Sequence, residues 1–291
     1  MFLDFPPSPC YNKVNVNLPT SSHKKGIMKY IQFFTLLFTL LLIFTACTGD
    51  IPAMAGTESD TETKTESVVE TDPPEPKKRV AITFDDGPAF DNDSVQRLTY
   101  KIVDEFQKYG GTATFFVVGN RINAQTGKAL QYAHERGFEF AIHAYTHEIY
   151  FDTCAEQEFL NELRQTEKAI TKYIDAEVTL LRAPGGRIPR ERAILGGYPI
   201  INWSIDTEDW RYKSRSDEAT IQANINAIVE NALRNVEDGD IILLHEIYQN
   251  SYEATCIILE RLDEMGFEFV TVTELIGKEN LAAGETYYCA P

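Results

Sequence analysis

The chain has 291 residues, 43% of them hydrophobic, and a formal net charge of -17 at pH 7. That apolar share supplies one sizeable core, while so acidic a surface gains nothing from counterion release and excludes nucleic acid as a partner. The same charge disfavours adhesion to anionic lipid, so attachment to a membrane requires a dedicated device.

Such a device stands near the N-terminus. Lys24, Lys25 and Lys29 precede an apolar run over 30–46, the basic-then-apolar order of an export signal. The run is short for a comfortable bilayer span. It closes in Phe44-Thr45-Ala46-Cys47, which resembles a bacterial lipobox with Phe44 in place of the usual Leu. Residues 28–47 therefore read as a lipoprotein signal peptide, Cys47 as the lipidation site, and 1–27 as an upstream extension ahead of Met28. The mature protein is expected outside the cytoplasm, anchored to the membrane by lipid. A plain secretory signal or an uncleaved anchor helix is the alternative. Residues 48–78 are acidic and rich in Thr and Pro, with almost nothing to bury, and are expected to form a disordered spacer. The folded domain is then 79–291. No cysteine pair has CxxC spacing, which argues against a cysteine-based zinc site. Cys154, Cys256 and Cys289 are expected to be buried or free thiols.

From residue 80 onward short apolar runs alternate with amphipathic segments. A strand is predicted over 80–84, followed by a helix over 94–109 that carries Val95, Leu98, Ile102 and Phe106 at helical spacing and stops at Gly110-Gly111. Next come a strand at 113–118, a helix at 122–136, a strand at 138–142 and a long helix at 155–174. Strands at 178–181, 200–204 and 240–244 follow, the last two separated by a helix through Ile221, Ile225 and Ile228. Helix 252–265 and strand 267–272 end the series. This alternation implies α/β architecture, a parallel sheet covered by helices. About seven strands suit a closed or nearly closed barrel, whose catalytic groups gather at the C-terminal ends of the strands.

Polar residues recur at those ends. Strand one finishes in Thr83-Phe84-Asp85-Asp86-Gly87-Pro88; one carboxylate could bind a metal while its neighbour acts as a base, although a turn role is an equal reading for the fragment alone. Strand 138–142 leads to His143 and His147, which share one face if the segment is helical and can then grip one ion. His245 follows Leu243-Leu244. Two histidines and an aspartate suit Zn²⁺ first, with Co²⁺, Mn²⁺ or Fe²⁺ as competitors. Arg182-Ala183-Pro184-Gly185-Gly186 and Asp206-Thr207-Glu208-Asp209-Trp210 complete the series.

In this order the clusters resemble the five motifs of the polysaccharide deacetylase family (NodB homology, carbohydrate esterase 4), over roughly 79–276. The resemblance implies a distorted, incomplete (β/α)7-type barrel. It assigns the divalent metal to Asp86, His143 and His147, the general base to Asp85 and its orienting partner to Arg182. It further implies His245 as general acid tuned by Asp209, the Gly185 N–H as an oxyanion donor, and Trp210 with Leu243 as pocket walls. Ala144, Gly185 and Glu246 depart from the family's usual residues without removing a ligand, base or acid. The implied substrate is an N-acetylated polysaccharide, most of all the N-acetylglucosamine of peptidoglycan, a chitin-like glycan being the other amino-sugar polymer. Residues 206–210 are similar to peptidoglycan-type members. An O-acetyl esterase acting on xylan and an inactive glycan-binding lipoprotein are the alternatives. A monomer is expected.

Overall fold

The computed structural model describes residues 77–89 and 98–291; the expected upstream extension, signal peptide, Cys47 and nearly all of the spacer lie outside the described residues. The elements are β1 (Lys78–Gly87), α1 (Leu98–Gln107), β2 (Thr114–Val118), α2 (Thr126–His134), β3 (Glu139–Ala144), α3 (Glu156–Thr171), α4 (Arg190–Gly196), β4 (Ile200–Ile201), β5 (Ile205–Asp206), α5 (Glu218–Leu233), β6 (Ile241–His245), α6 (Gln249–Glu264), β7 (Phe267–Phe269), α7 (Val272–Ile276) and β8 (Thr286–Tyr287). The main sheet runs β3-β2-β1-β6-β5 with every pair parallel, and β7 lies beside the first residues of β1. Leu181 bridges Ile142 of β3 to Ile200 of β4, and β4 pairs with β8. The sheet therefore curls from β8 round to β5 and stops short of closing, the incomplete (β/α) barrel expected from the motifs. Among the described residues no helix is long and apolar enough to cross a membrane.

The side-chain period of a strand sorts each residue to one face. Val80, Ile82 and Phe84 of β1, Phe115 and Val117 of β2, Phe140 and Ile142 of β3, and Ile242 and Leu244 of β6 join the larger core, with Ile102, Phe106, Leu163, Ile228 and Ile258 of the helices. Their neighbours Ala81, Phe116, Ala141 and Ile241 join Leu180 and Ile201 in a smaller core, on the inner face of the curled sheet. Phe84, Phe115 and Phe140 stack across adjacent strands with centroids 5.3 and 5.4 Å apart, and Phe106 of α1 meets Phe84 edge-on at 6.1 Å. The alternation continues past these apolar positions, so Thr83, Asp85, His143, Leu243 and His245 occupy the inner face.

Departures from the predicted elements have local causes. The expected strand 178–181 contributes only the bridge at Leu181. Of the strand expected over 200–204 only β4 forms, and β5 begins beyond it at Ile205. At the break the carbonyls of Ile201 and Asn202 accept from Arg182 Nε and Nη2, each at 2.9 Å, so a guanidinium takes bonds a sheet would otherwise use. The strand expected to reach 272 ends at Phe269, because Thr271 and Glu274 form a reciprocal capping box that starts α7: Glu274 N donates to Thr271 Oγ1 at 3.1 Å and Thr271 N to Glu274 Oε2 at 2.9 Å. Cys154 and Cys256 are free thiols as expected. Cys289 is disulfide-bonded, which corrects the expectation of a free thiol there; one cysteine in the C-terminal tail carries no spacing that would identify a partner.

The stacked phenylalanines lie between the sheet and its helices, so truncating the central ring leaves a cavity that neighbours from three strands cannot fill. Phe115→Ala is expected to lower the unfolding free energy by about 3–5 kcal/mol. Urea denaturation should show an earlier midpoint with an unchanged slope.

Candidate active site

The inner-face residues at the strand ends form one connected group. Arg182 is wholly buried. Its Nη1 donates to Asp85 Oδ1 at 2.7 Å and to Thr83 Oγ1 at 2.8 Å, and its guanidinium stacks 4.0 Å above the Phe116 ring. Arg182 thereby joins β1, β2 and the β4 break at a single point. Its carbonyl faces Nδ1 of His143 at 2.8 Å. A carbonyl only accepts, so Nδ1 carries the proton and the lone pair of Nε2 is left for another partner.

That lone pair points into a cluster of donors. Nε2 of His143 is 3.5 Å and Nε2 of His147 3.3 Å from Asp86 Oδ1, which is buried without a hydrogen-bond partner. One ligand atom from each of the three residues lies within 4.8 Å of the others. Ligand atoms on a tetrahedral ion with bonds of ~2.0–2.1 Å stand about 3.3–3.4 Å apart. The orphaned oxygen, the oriented imidazole and these spacings fit a divalent ion. Burial pushes Asp86 up and His143, His245, His147 and Arg121 pull it down, for a net fall below the usual carboxylate range. Burial dominates at His143 and holds its pKa below the ordinary value, against Asp85 and Asp86, which favours the neutral ligand form.

Strand parity alone would not assemble the three ligands. Asp86 would point to the helices, but the β1–β2 register slips between Asp85 and Gly87, and Asp86 adopts φ 69°. A slip in the β2–β3 register likewise falls at His143, where Val117 pairs with Ile142 and Val118 with Ala144. Bulges of this kind re-aim a side chain. His147 is not on a helix with His143; the chain bends after Ala144, and a left-handed φ of 62° at His147 brings the two rings to 5.0 Å. The i,i+4 spacing is met by a turn rather than by a helical face. A Cβ on Gly87 would overlap the carboxylate of Glu246, so any side chain there would have to displace that buried group.

His245 stands across from this cluster at the end of β6, whose register aligns it with Asp85. Its Nδ1 donates to Asp209 Oδ1 and its backbone N to Asp209 Oδ2, both at 2.7 Å, while Ser251 Oγ donates to Oδ2 at 2.6 Å. Burial lowers the His245 pKa, but the buried Asp209 carboxylate, with smaller help from Asp85 and Asp86, outweighs it and the pKa stands at about 9. The imidazole is protonated near pH 7, with Nε2 turned away from Asp209. Leu243 is buried one strand repeat below His245. Gly185 is exposed, with φ 67°, on the turn after Arg182. Trp210 is 44% exposed at the rim, with Arg211 over its ring at 4.7 Å. Asp206 accepts from Glu208 N at 2.8 Å, and burial raises its pKa.

Four further residues touch the site, of which only Glu246 had stood out in the sequence, as a departure from the family pattern. Arg121 Nη1 donates to the carbonyl of Asp86, and Ser251 supports Asp209. Glu162 accepts from the loop between the two histidines. Glu246 is wholly buried and raised to about 7 by that burial; its Oε2 accepts from Thr99 Oγ1. Ser251 lies in the first turn of α6, a short step from His245, and that proximity was readable. Glu162 lies in the middle of a polar helix, where nothing distinguishes it from solvated glutamates.

Comparison with known proteins agrees with this geometry. Residues 72–195 match the family described as polysaccharide deacetylase. The chain is 32% identical over 211 residues to the peptidoglycan-N-acetylglucosamine deacetylase PgdA of Listeria monocytogenes, an alignment covering 72% of this chain and 41% of that protein. It thus spans about two fifths of that relative's length. The structure of the peptidoglycan deacetylase PdaC from Bacillus subtilis superposes with a TM-score of 0.60 at 32% identity, covering 68% of this chain and 90% of that one. A family 4 acetyl xylan esterase from Clostridium thermocellum, solved with a cobalt ion, superposes with a TM-score of 0.63 at 27% identity, covering 74% of this chain and all of that one. On its motifs, its barrel and these likenesses, the chain belongs to the polysaccharide deacetylase family.

Proposed function

We propose that this chain is a divalent-metal-dependent hydrolase that removes N-acetyl groups from N-acetylglucosamine in a bacterial envelope glycan, peptidoglycan first. The observation that carries the reading is the pairing of two opposed, preset groups across one inner face: Asp85 held by Arg182, and protonated His245 held by Asp209. Asp86, His143 and His147 would hold the ion, Zn²⁺ first with Co²⁺, Mn²⁺ or Fe²⁺ as competitors. When bound, the ion supplies a Lewis acid that polarises the acetyl carbonyl. Asp85 accepts the proton of the attacking water as its oxygen bonds to the carbonyl carbon. The C–N bond then breaks, acetate leaves, and His245 Nε2 delivers a proton to the departing amine. The Gly185 N–H would face the developing oxyanion, and Trp210 and Leu243 would border the sugar. An amide requires this proton far more than an ester does, and the N-acetyl reading draws on the likeness to the peptidoglycan deacetylases of Listeria monocytogenes and Bacillus subtilis. The second reading, an O-acetyl esterase on xylan, draws on the likeness to the Clostridium thermocellum enzyme.

The substrate test is acetate release by the purified protein from peptidoglycan, chitin oligomers and acetylxylan, with and without chelator. Release from the amino-sugar polymers is expected, lost on chelation and restored by Zn²⁺ or Co²⁺. Turnover of acetylxylan alone would establish the esterase reading instead, and full turnover in metal-free protein would remove the metal from the mechanism.

The acid has a defined pH signature. Protonated His245 is the active form, so kcat/KM should fall as pH rises through about 9. Asp209→Asn removes the carboxylate that lifts the imidazole, and the alkaline limb should move to lower pH. An alkaline limb unmoved in that variant would show that His245 is not the titrating acid.

Location follows from the leader. We propose export and lipid anchoring at Cys47, with 48–78 as the tether that lets the domain reach the glycan. Cys47→Ser should release the protein from membranes or leave an unprocessed precursor. Unchanged mass and unchanged partitioning into detergent would mean that Cys47 is not lipidated.

A further inference from the structure

We infer that Glu162 is the positioning residue of the metal site: its carboxylate holds the His143–His147 loop in its ligating conformation before an ion arrives. The inference rests on the reading that Asp86, His143 and His147 bind a divalent metal. Glu162 lies in the middle of α3, only 6% exposed. Its Oε2 accepts from Tyr145 N at 2.7 Å and from Thr146 N at 2.8 Å, and its Oε1 from Thr146 Oγ1 at 3.0 Å. These are the two residues immediately before His147, and among the described residues no cation pairs with the Glu162 carboxylate. A buried carboxylate is costly unless its oxygens are satisfied, and here the loop satisfies both.

The loop needs such a brace. Its hinge is His147, at φ 62°, a left-handed conformation that a non-glycine residue keeps only where its surroundings over-determine it. Two consecutive N–H groups directed at one acceptor fix the orientation of the peptides leading into that hinge. The outward carbonyl of Tyr145 is held as well, accepting from Asn120 N at 2.9 Å. The helix can come this close because position 119 is glycine: a Cβ there would lie 2.7 Å from Tyr145 Cδ2 and 2.8 Å from Thr166 Cα, one turn beyond Glu162. Ala144 offers the loop no hydroxyl of its own; Glu162 and Thr146 supply the contacts.

Removing the brace should leave the ion to order the loop, and affinity falls by the fraction of molecules no longer ligation-competent. Glutamine separates hydrogen bonding from charge, since its Oε1 can accept both N–H groups while its amide donates to Thr146 Oγ1. Zn²⁺ and Co²⁺ dissociation constants of the full-length chain, from competition with a chromophoric chelator, are the test, with the melting temperature of the metal-free protein as control. Glu162→Leu is expected to bind either ion about 10–100-fold more weakly, Glu162→Gln within about threefold of the parent, and the metal-free melting temperatures to stay close together. Should the leucine variant fail to fold, Glu162→Asp, which keeps the charge but withdraws it by one methylene, should show the weakened binding. Parent-like affinity in both the leucine and aspartate variants would overturn the brace while leaving the metal reading intact, and so would a glutamine variant as weak as the leucine one. A parent chain that binds neither ion would instead overturn the metal reading on which the brace rests.

Discussion

Everything at the rim of this barrel depends on burying one guanidinium. Arg182 is out of contact with water, and its cost of desolvation is met by donors spent on Asp85, Thr83 and the carbonyls of Ile201 and Asn202. Its own carbonyl then accepts from His143. One residue therefore orients Asp85, selects the tautomer of His143 and interrupts the sheet between β4 and β5. A buried ion pair of this kind is weak evidence of stability, because well-packed apolar residues would often serve as well. Its value is positional: the planar fork admits a single arrangement of its acceptors.

The ligands sit where regular structure is broken. Register slips at Asp85–Gly87 and around His143, and left-handed backbone at Asp86 and His147, turn side chains that pleating would scatter toward one point. Each irregularity has a restraining contact. Arg121 holds the Asp86 carbonyl, Glu246 fills the space a side chain at Gly87 would need, and Glu162 with Asn120 fixes the approach to His147. Strain held in this way keeps donor atoms together that would otherwise repel or relax apart.

Asp85 and His245 share this small face with different partners. Asp85 faces a permanent cation, whereas His245 faces a buried carboxylate that also accepts from Ser251 and a backbone N–H. The carboxylate raises the imidazole pKa against the burial that would lower it. The relatives named above include both a peptidoglycan deacetylase and an acetyl xylan esterase.

The sequence by itself determined the order of strands and helices and the polar residues at the strand ends. The apolar runs of β1, β3 and β6 were legible as strands, and once they are strands the pleat places Asp85, His143 and His245 on the inner face. The motif order tied these strand ends to one family. Tertiary structure decided the remainder. Nothing local announces that Ile201 and Asn202 surrender their carbonyls to Arg182, a residue distant in sequence, so the strand expected over 200–204 was drawn too long. The cap at Thr271-Val-Thr-Glu274 was local and readable, yet the apolar run before it outweighed it. His143 and His147 meet through a left-handed turn rather than on the helical face their spacing also allows, and a carboxylate from α3 binds that loop; a glutamate inside a polar helix shows its partner only once the helix is packed. Residue spacing along the chain fixes which face a side chain takes; which distant backbone it grips is decided by packing.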